Sequence, residues 1–167
     1  MSNWLRLTSE LKRRPAEELL TPTQRHAWET LCALLRFPQR INLYGPQGSG
    51  KTFVAWALSR ATGALHISLP SDLAVALPGP EIFLVDNVSP HEPSFRRILA
   101  DCNLLGATSV VLISRQPTLL AMRRIELLQP TKDDMTIAMR TMSRLGIFAN
   151  VEASQVTDFW ALLRACV

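Results

Sequence analysis

Ile41-Asn42-Leu43-Tyr44-Gly45-Pro46-Gln47-Gly48-Ser49-Gly50-Lys51-Thr52 is the stretch whose reading decides the fold. Four strand-forming residues run directly into Gly-x-x-x-x-Gly-Lys-Thr, and a helix is expected from about Lys51 to Ala61, stopped near Gly63. In such a strand–loop–helix unit the glycines let the backbone curl so that successive N–H groups of residues 45–52 face a phosphate chain. The helix adds the positive end of its dipole. Lys51 is then placed to reach the β- and γ-phosphates, and Thr52 to offer a hydroxyl to Mg²⁺. Gly45, Pro46, Gln47, Gly48, Ser49, Gly50, Lys51 and Thr52 are therefore the expected nucleotide-binding residues.

Working outward, Glu81-Ile82-Phe83-Leu84-Val85-Asp86 is an apolar strand ending in a carboxylate. Asp86 fits the acid that holds the metal of a bound nucleotide. Asn87 follows, where a carboxylate able to take a proton from water would favour hydrolysis. An amide orients water but accepts no proton at neutral pH. Slow or partner-dependent hydrolysis is expected, with Glu81 and Glu92 the nearest acids in sequence. Ser109-Val110-Val111-Leu112-Ile113-Ser114 is another buried strand, expected between those that carry Lys51 and Asp86. Ser114 and Arg115 at its carboxyl end are candidates to sense the γ-phosphate, since ligands gather there in open α/β sheets. Arg123 and Arg124 are candidate arginine fingers for a neighbouring subunit's nucleotide. An exposed pair lying on the surface is the competing reading.

The rest of the chain alternates. Thr21-Pro22-Thr23-Gln24 reads as a capping box with Pro at the first helical position, and a stripe from Ala27 to Leu35 follows. Strands are expected at 41–44, 64–68, 81–86, 109–114 and 125–128, and helices at 93–103, 119–122, 131–145 and from 154 onward. Continuous apolar runs separated by helices mean a parallel sheet covered on both faces. The expected fold is α/β, a three-layer P-loop core over residues 1–128 with a small helical lid over 129–167.

Composition sets wider bounds. The chain has 167 residues, 47% of them hydrophobic and 19% charged, which excludes disordered and low-complexity classes. No apolar run is long enough for a membrane span, and the start lacks a secretory signal, so a cytoplasmic protein is expected. The net charge is +4, and only three of the 18 basic residues are lysines. That permits phosphate-bearing partners without demanding them. Cys32, Cys102 and Cys166 match neither a disulfide framework nor a zinc spacing. His26, His66 and His91 are isolated in sequence, and Trp4, Trp28, Trp56 and Trp160 read as core or interface residues.

Taken together, Gly45–Thr52, Phe83-Leu84-Val85-Asp86-Asn87 and Ile113-Ser114-Arg115-Gln116-Pro117 resemble the AAA+ ATPases, in particular the branch of the DnaA replication initiators. Leu128-Gln129-Pro130-Thr131-Lys132-Asp133-Asp134 is similar to the entry to that family's lid. The resemblance implies ATP and Mg²⁺ as cofactors and weak or partner-stimulated ATP hydrolysis. It also implies nucleotide-governed assembly with another AAA+ protein or with further copies of the chain, in DNA replication or its control, with DNA itself a candidate partner. The chain departs from the family in a compressed segment before the lid and in the lack of a clear lid arginine, for which Arg140, Arg144 and Arg164 are the candidates. Two other readings stay open. One is a small-molecule kinase, with Asp72 as its acceptor-side acid. The other is an interaction module stabilised by nucleotide without turnover.

Overall fold

Among the described residues the apolar runs become five strands and the amphipathic stretches five helices. The computed structural model describes Ser9 and residues 16–166; Trp4 lies outside the described residues. After a 3₁₀ turn at Ala16–Leu19 come helix α1 (Pro22–Leu34), strand β1 (Arg40–Tyr44), helix α2 (Lys51–Thr62) and strand β2 (Leu65–Ile67). Strand β3 (Ile82–Val85), helix α3 (Glu92–Leu104) and strand β4 (Ser109–Ser114) follow, then β5 (Arg123–Glu126), α4 (Lys132–Arg144) and α5 (Phe159–Arg164). All strand pairings within the sheet are parallel, in the order β2-β3-β4-β1-β5. Strand β4 therefore lies between the strands leading to Lys51 and Asp86, as expected.

Alternate residues of each strand feed two cores. Ile41, Leu43, Leu84, Val111 and Ile113 pack with α1 and α2, while Phe83, Val85, Val110 and Leu112 pack with Phe95, Ile98, Leu99 and Cys102 of α3. Residues 110–113 of β4 are at most 1% exposed, which explains their unbroken apolar run. Burial pushes the Cys102 thiol up to about 11, so it acts as a small core residue. A third cluster joins Met135, Met142, Leu145, Ile147 and Leu162 to Leu19, Phe53 and Trp56, seating the C-terminal helices on α2.

Three local expectations fail. Residues 119–122 are not helical: the Thr118 hydroxyl accepts from Leu120 N–H at 3.1 Å, a side-chain turn that competes with helix. The last strand is Arg123–Glu126, not 125–128. It is an edge strand with only Ile125 half-buried, so arginines at its start keep their heads in water. The last helix starts at Phe159, not Ser154, because the Asp158 carboxylate accepts from Ala161 N–H at 2.8 Å and caps it. Glu152 and Gln155 close a 3₁₀ turn at Ala153–Gln155 instead.

Candidate functional site

The loop between β1 and α2 is built on left-handed backbone. Gly48 and Gly50 have φ of 81° and 90°, a region that costs other residues but not glycine. Space closes the case at Gly50, where a Cβ would stand 2.2 Å from Gln24 Nε2 of α1. A Cβ on Gly48 would meet the Asp158 carboxylate at 2.7 Å. Phe159 N–H donates to Gly48 O at 3.1 Å, so the C-terminal segment lies directly on this loop. Ser49 is buried, while Lys51 and Thr52 open α2 where the first amides lack intrahelical acceptors.

Lys51 Nζ donates back into its own loop, to Gly45 O at 2.8 Å and Pro46 O at 2.7 Å. Burial lowers its ammonium to about 8; Asp86 opposes that shift and Arg115 adds to it. Thr52 Oγ1 donates to Asp86 Oδ2 at 2.6 Å. Burial pushes the Asp86 carboxyl upward, yet the facing His66, the Thr52 hydroxyl and the Asn87 N–H together hold it below its ordinary value. An ionised carboxylate beside a hydroxyl is an oxygen pair of the kind Mg²⁺ takes alongside substrate phosphates and water. Among the described residues no group of three or more His, Cys, Asp or Glu side chains is arranged for a metal.

The other predicted residues divide. Ser114 and Arg115 line the same cavity as Lys51, Thr52 and Asp86. The Ser114 hydroxyl donates to Gln116 O at 2.7 Å and accepts from Asn42 Nδ2 at 2.9 Å. Its donor is thus committed within the chain, which leaves Arg115 the outward-facing group of the pair. Asn87 has φ 55°, a conformation asparagine tolerates, and its Nδ2 donates to Ser68 O at 3.0 Å. Arg123 and Arg124 are exposed at the start of β5, level with Ile41 and Asn42 of β1. They sit at the sheet end opposite Lys51. Glu81 also opens a strand at that far end, and Glu92 is engaged with Arg96 Nε at 2.8 Å. None of Arg140, Arg144 and Arg164 lines the cavity; among the described residues Lys51 and Arg115 are its cations.

The cavity measures about 860 Å³, within the roughly 300–1,000 Å³ of small-ligand sites. Its inner end is the phosphate-type loop with Lys51, Thr52, Asp86 and Arg115. Leu19, Ala138, Met142, Leu162 and Leu163 of the third cluster supply apolar walls. An anionic tail and a flat, largely apolar head suit these two linings.

Sequence reasoning missed the supporting residues. Asn42 is fully buried on β1 and holds Leu112 O, Ser114 Oγ and Thr118 N–H, fixing the turn that presents Arg115. A polar residue within an apolar strand was its visible signal. Gln24, His66 and Asp158 reach the site only through tertiary packing, which no local pattern announces.

A parallel sheet in this order, with the glycine loop after β1 and the acid after β3, is an α/β core of the P-loop kind. Solved structures agree. A replication initiator DnaA bound to AMPPCP and single-stranded DNA matches with a TM-score of 0.59 and 14% identity, over 86% of this chain and 60% of that one. A DNA replication initiation factor matches with a TM-score of 0.54 and 16% identity, over 83% and 56%. The chain has the DnaA-like AAA+ fold, and it spans under two thirds of the length of either structure. No family profile matches the sequence, and no curated protein does. Among the described residues no helix is long and apolar enough to cross a membrane.

Proposed function

We propose that this chain binds ATP with Mg²⁺ and uses the occupied state to govern assembly with another AAA+ protein or with copies of itself, in DNA replication or its control. One observation carries the nucleotide part. Lys51 and the Thr52–Asp86 pair line one cavity with the glycine loop and a set of apolar side chains. Bound Mg²⁺ would neutralise phosphate charge, with Thr52 and Asp86 as the residues that hold it. The likeness to replication initiators supports the cellular role. Calorimetry with ATP, GTP and ADP in magnesium tests the binding; heats no different from buffer for all three sink the reading.

Binding outweighs turnover in this proposal. Asn87 spends its amide on Ser68 O, and among the described residues Asp86 is the only carboxylate that lines the cavity. Asn87→Glu should speed hydrolysis about 100-fold or more by supplying a base, at a cost of about 1 kcal/mol for the left-handed backbone. A phosphate-release assay reads the rate, and an unchanged rate removes Asn87 as the reason for slow turnover. The kinase reading loses its acid, since Asp72 is exposed in the 3₁₀ turn Pro70–Val75 and does not line the cavity. Arg123 and Arg124, on the free edge of β5, are the residues we assign to a neighbour's site.

The Lys51 ammonium gives a pH dependence. Its ordinary value near 10.5 falls to about 8 in the fold. The charged form is therefore disfavoured there, and the stability this group contributes is present above 10.5 and lost as pH falls through 8. A phosphate tail restores the charge. Nucleotide affinity should decline above pH 8, by up to tenfold per pH unit, and binding at pH 9 should take up a proton. Calorimetry in two buffers of different ionisation enthalpy measures that uptake; none at pH 9 contradicts the assignment.

A further inference from the structure

His66, in the middle of β2, is buried to 11% side-chain exposure, and its Nε2 atom is buried without a hydrogen-bond partner. The other ring nitrogen is engaged: Trp56 Nε1 meets His66 Nδ1 at 3.2 Å, with the two rings edge to face at 86°. An indole N–H only donates. Nδ1 must therefore be the acceptor, and in the neutral ring the proton is on Nε2. That atom faces Asp86 Oδ2 at 3.8 Å, too long for a hydrogen bond as it stands and too short for a water between them. Trp56 and Thr52 are one turn apart on α2, so one helix face holds both the Asp86 partner and the residue that sets the tautomer of His66.

The geometry points to His66 as a positioning residue for Asp86, a neutral N–H donor locked by Trp56 that fixes the carboxylate in the orientation the cation needs. The inference rests on the nucleotide reading of the site. Asp86 Oδ1 already accepts from Asn87 N–H at 2.7 Å, and Oδ2 from Thr52 Oγ1 at 2.6 Å. When Thr52 turns its oxygen lone pair to a cation, Oδ2 needs a second anchor, and a shift of under an ångström brings it to Nε2. The same tautomer bars His66 from ligating the metal itself, since Nε2 carries a proton and not a lone pair. Outer partners of ligating carboxylates commonly set metal affinity by about 10- to 100-fold.

Two measurements on the full chain test this. Long-range ¹H–¹⁵N spectra at pH 8 should show the His66 ring as the Nε2–H tautomer, and Trp56→Phe should release it into a mixture. A Nδ1–H tautomer in the wild type overturns the proposal. Second, binding of N-methylanthraniloyl-ATP is followed by fluorescence while magnesium is titrated. His66→Phe should raise the half-saturating magnesium concentration about tenfold or more, and His66→Gln, which keeps a donor at similar reach, should stay within about threefold of wild type. Wild-type behaviour in His66→Phe overturns the proposal, as does equal loss in both variants, which marks a packing role. If His66→Phe does not fold, Trp56→Phe decides: a released tautomer with an unchanged magnesium requirement overturns it. A wild-type protein whose binding ignores magnesium overturns both this inference and the reading it rests on, whereas a magnesium-dependent wild type with an indifferent His66→Phe overturns this one alone.

Discussion

Lys51→Met is expected to cost about 3–4 kcal/mol of nucleotide binding, roughly 100- to 1,000-fold in affinity, while leaving the empty protein no less stable. The first half follows from charge. Lys51 and Arg115 are the cations of the cavity, and an ammonium against phosphate makes charge-assisted bonds about twice as strong as neutral ones. The second half follows from burial. In the structure this ammonium is half-buried, pulled down to about 8, and its Nζ is folded onto the Gly45 and Pro46 carbonyls. Keeping it charged at pH 7 therefore works against the fold. Discounted for partial exposure, that penalty is about 1–2 kcal/mol, and the two lost carbonyl contacts offset part of it. A residue chosen for packing alone would behave in the opposite way, since its removal lowers stability. Isothermal titration and thermal melts on the same preparations separate the cases. A variant that melts well below wild type, or one that still binds ATP tightly, contradicts the assignment.

The sequence was readable wherever one local rule decided the outcome. Gly45–Thr52 needs a strand before it and a helix after it, and β1 and α2 stand there. The unbroken apolar run at 110–113 required burial on both faces, and β4 lies in the middle of the sheet. The helix expected from 131 begins there, its start capped by the Thr131 side chain, which accepts from Asp134 N–H at 3.1 Å. Reading failed where two weak tendencies competed. At 119–122 apolar residues implied helix, but Leu119 is 89% exposed and Thr118 organises a turn. At 125–128 the sequence implied the last strand, yet it spans Arg123–Glu126, because an edge position leaves both arginines in water. The site divides the same way. Lys51, Thr52 and Asp86 come from a motif with fixed spacing. His66, Asn42 and Gln24 act through partners 10 to 72 or so positions away or through backbone of another element, and such distances leave no periodic trace.

Asp134→Ala should lower stability by about 3 kcal/mol. Asp134 reads in the sequence as an acid favourable to a helix dipole, which is worth well under that. In the structure it is fully buried and serves two helix starts together. It accepts from Thr131 N–H at 2.8 Å and Thr131 Oγ1 at 2.7 Å at the head of α4. It also accepts from Thr23 N–H at 3.0 Å and Thr23 Oγ1 at 2.6 Å at the head of α1. Burial alone would raise its carboxyl; the Thr23 and Thr131 donors reverse that and hold it at about 2. For a carboxylate lowered this way the stabilisation is full above its ordinary value near 4 and is lost as pH falls toward 2. The shift corresponds to about 2–3 kcal/mol, in line with the mutational figure. Melts at pH 7 should drop by roughly 6–12 °C for a chain of this size, with a smaller drop in Asp134→Asn, which keeps one acceptor. The gap between wild type and Asp134→Ala should close as the pH is taken from 5 to 2; a constant gap would mean that the charge is not what the four donors hold. The same bond links α4, whose Ala138, Thr141 and Met142 line the cavity, to α1, whose Gln24 lies over Gly50. Loosening it should therefore weaken nucleotide binding from the head end, with Lys51, Thr52 and Asp86 untouched. Affinity for inorganic triphosphate, which has no head, should then fall less than affinity for ATP.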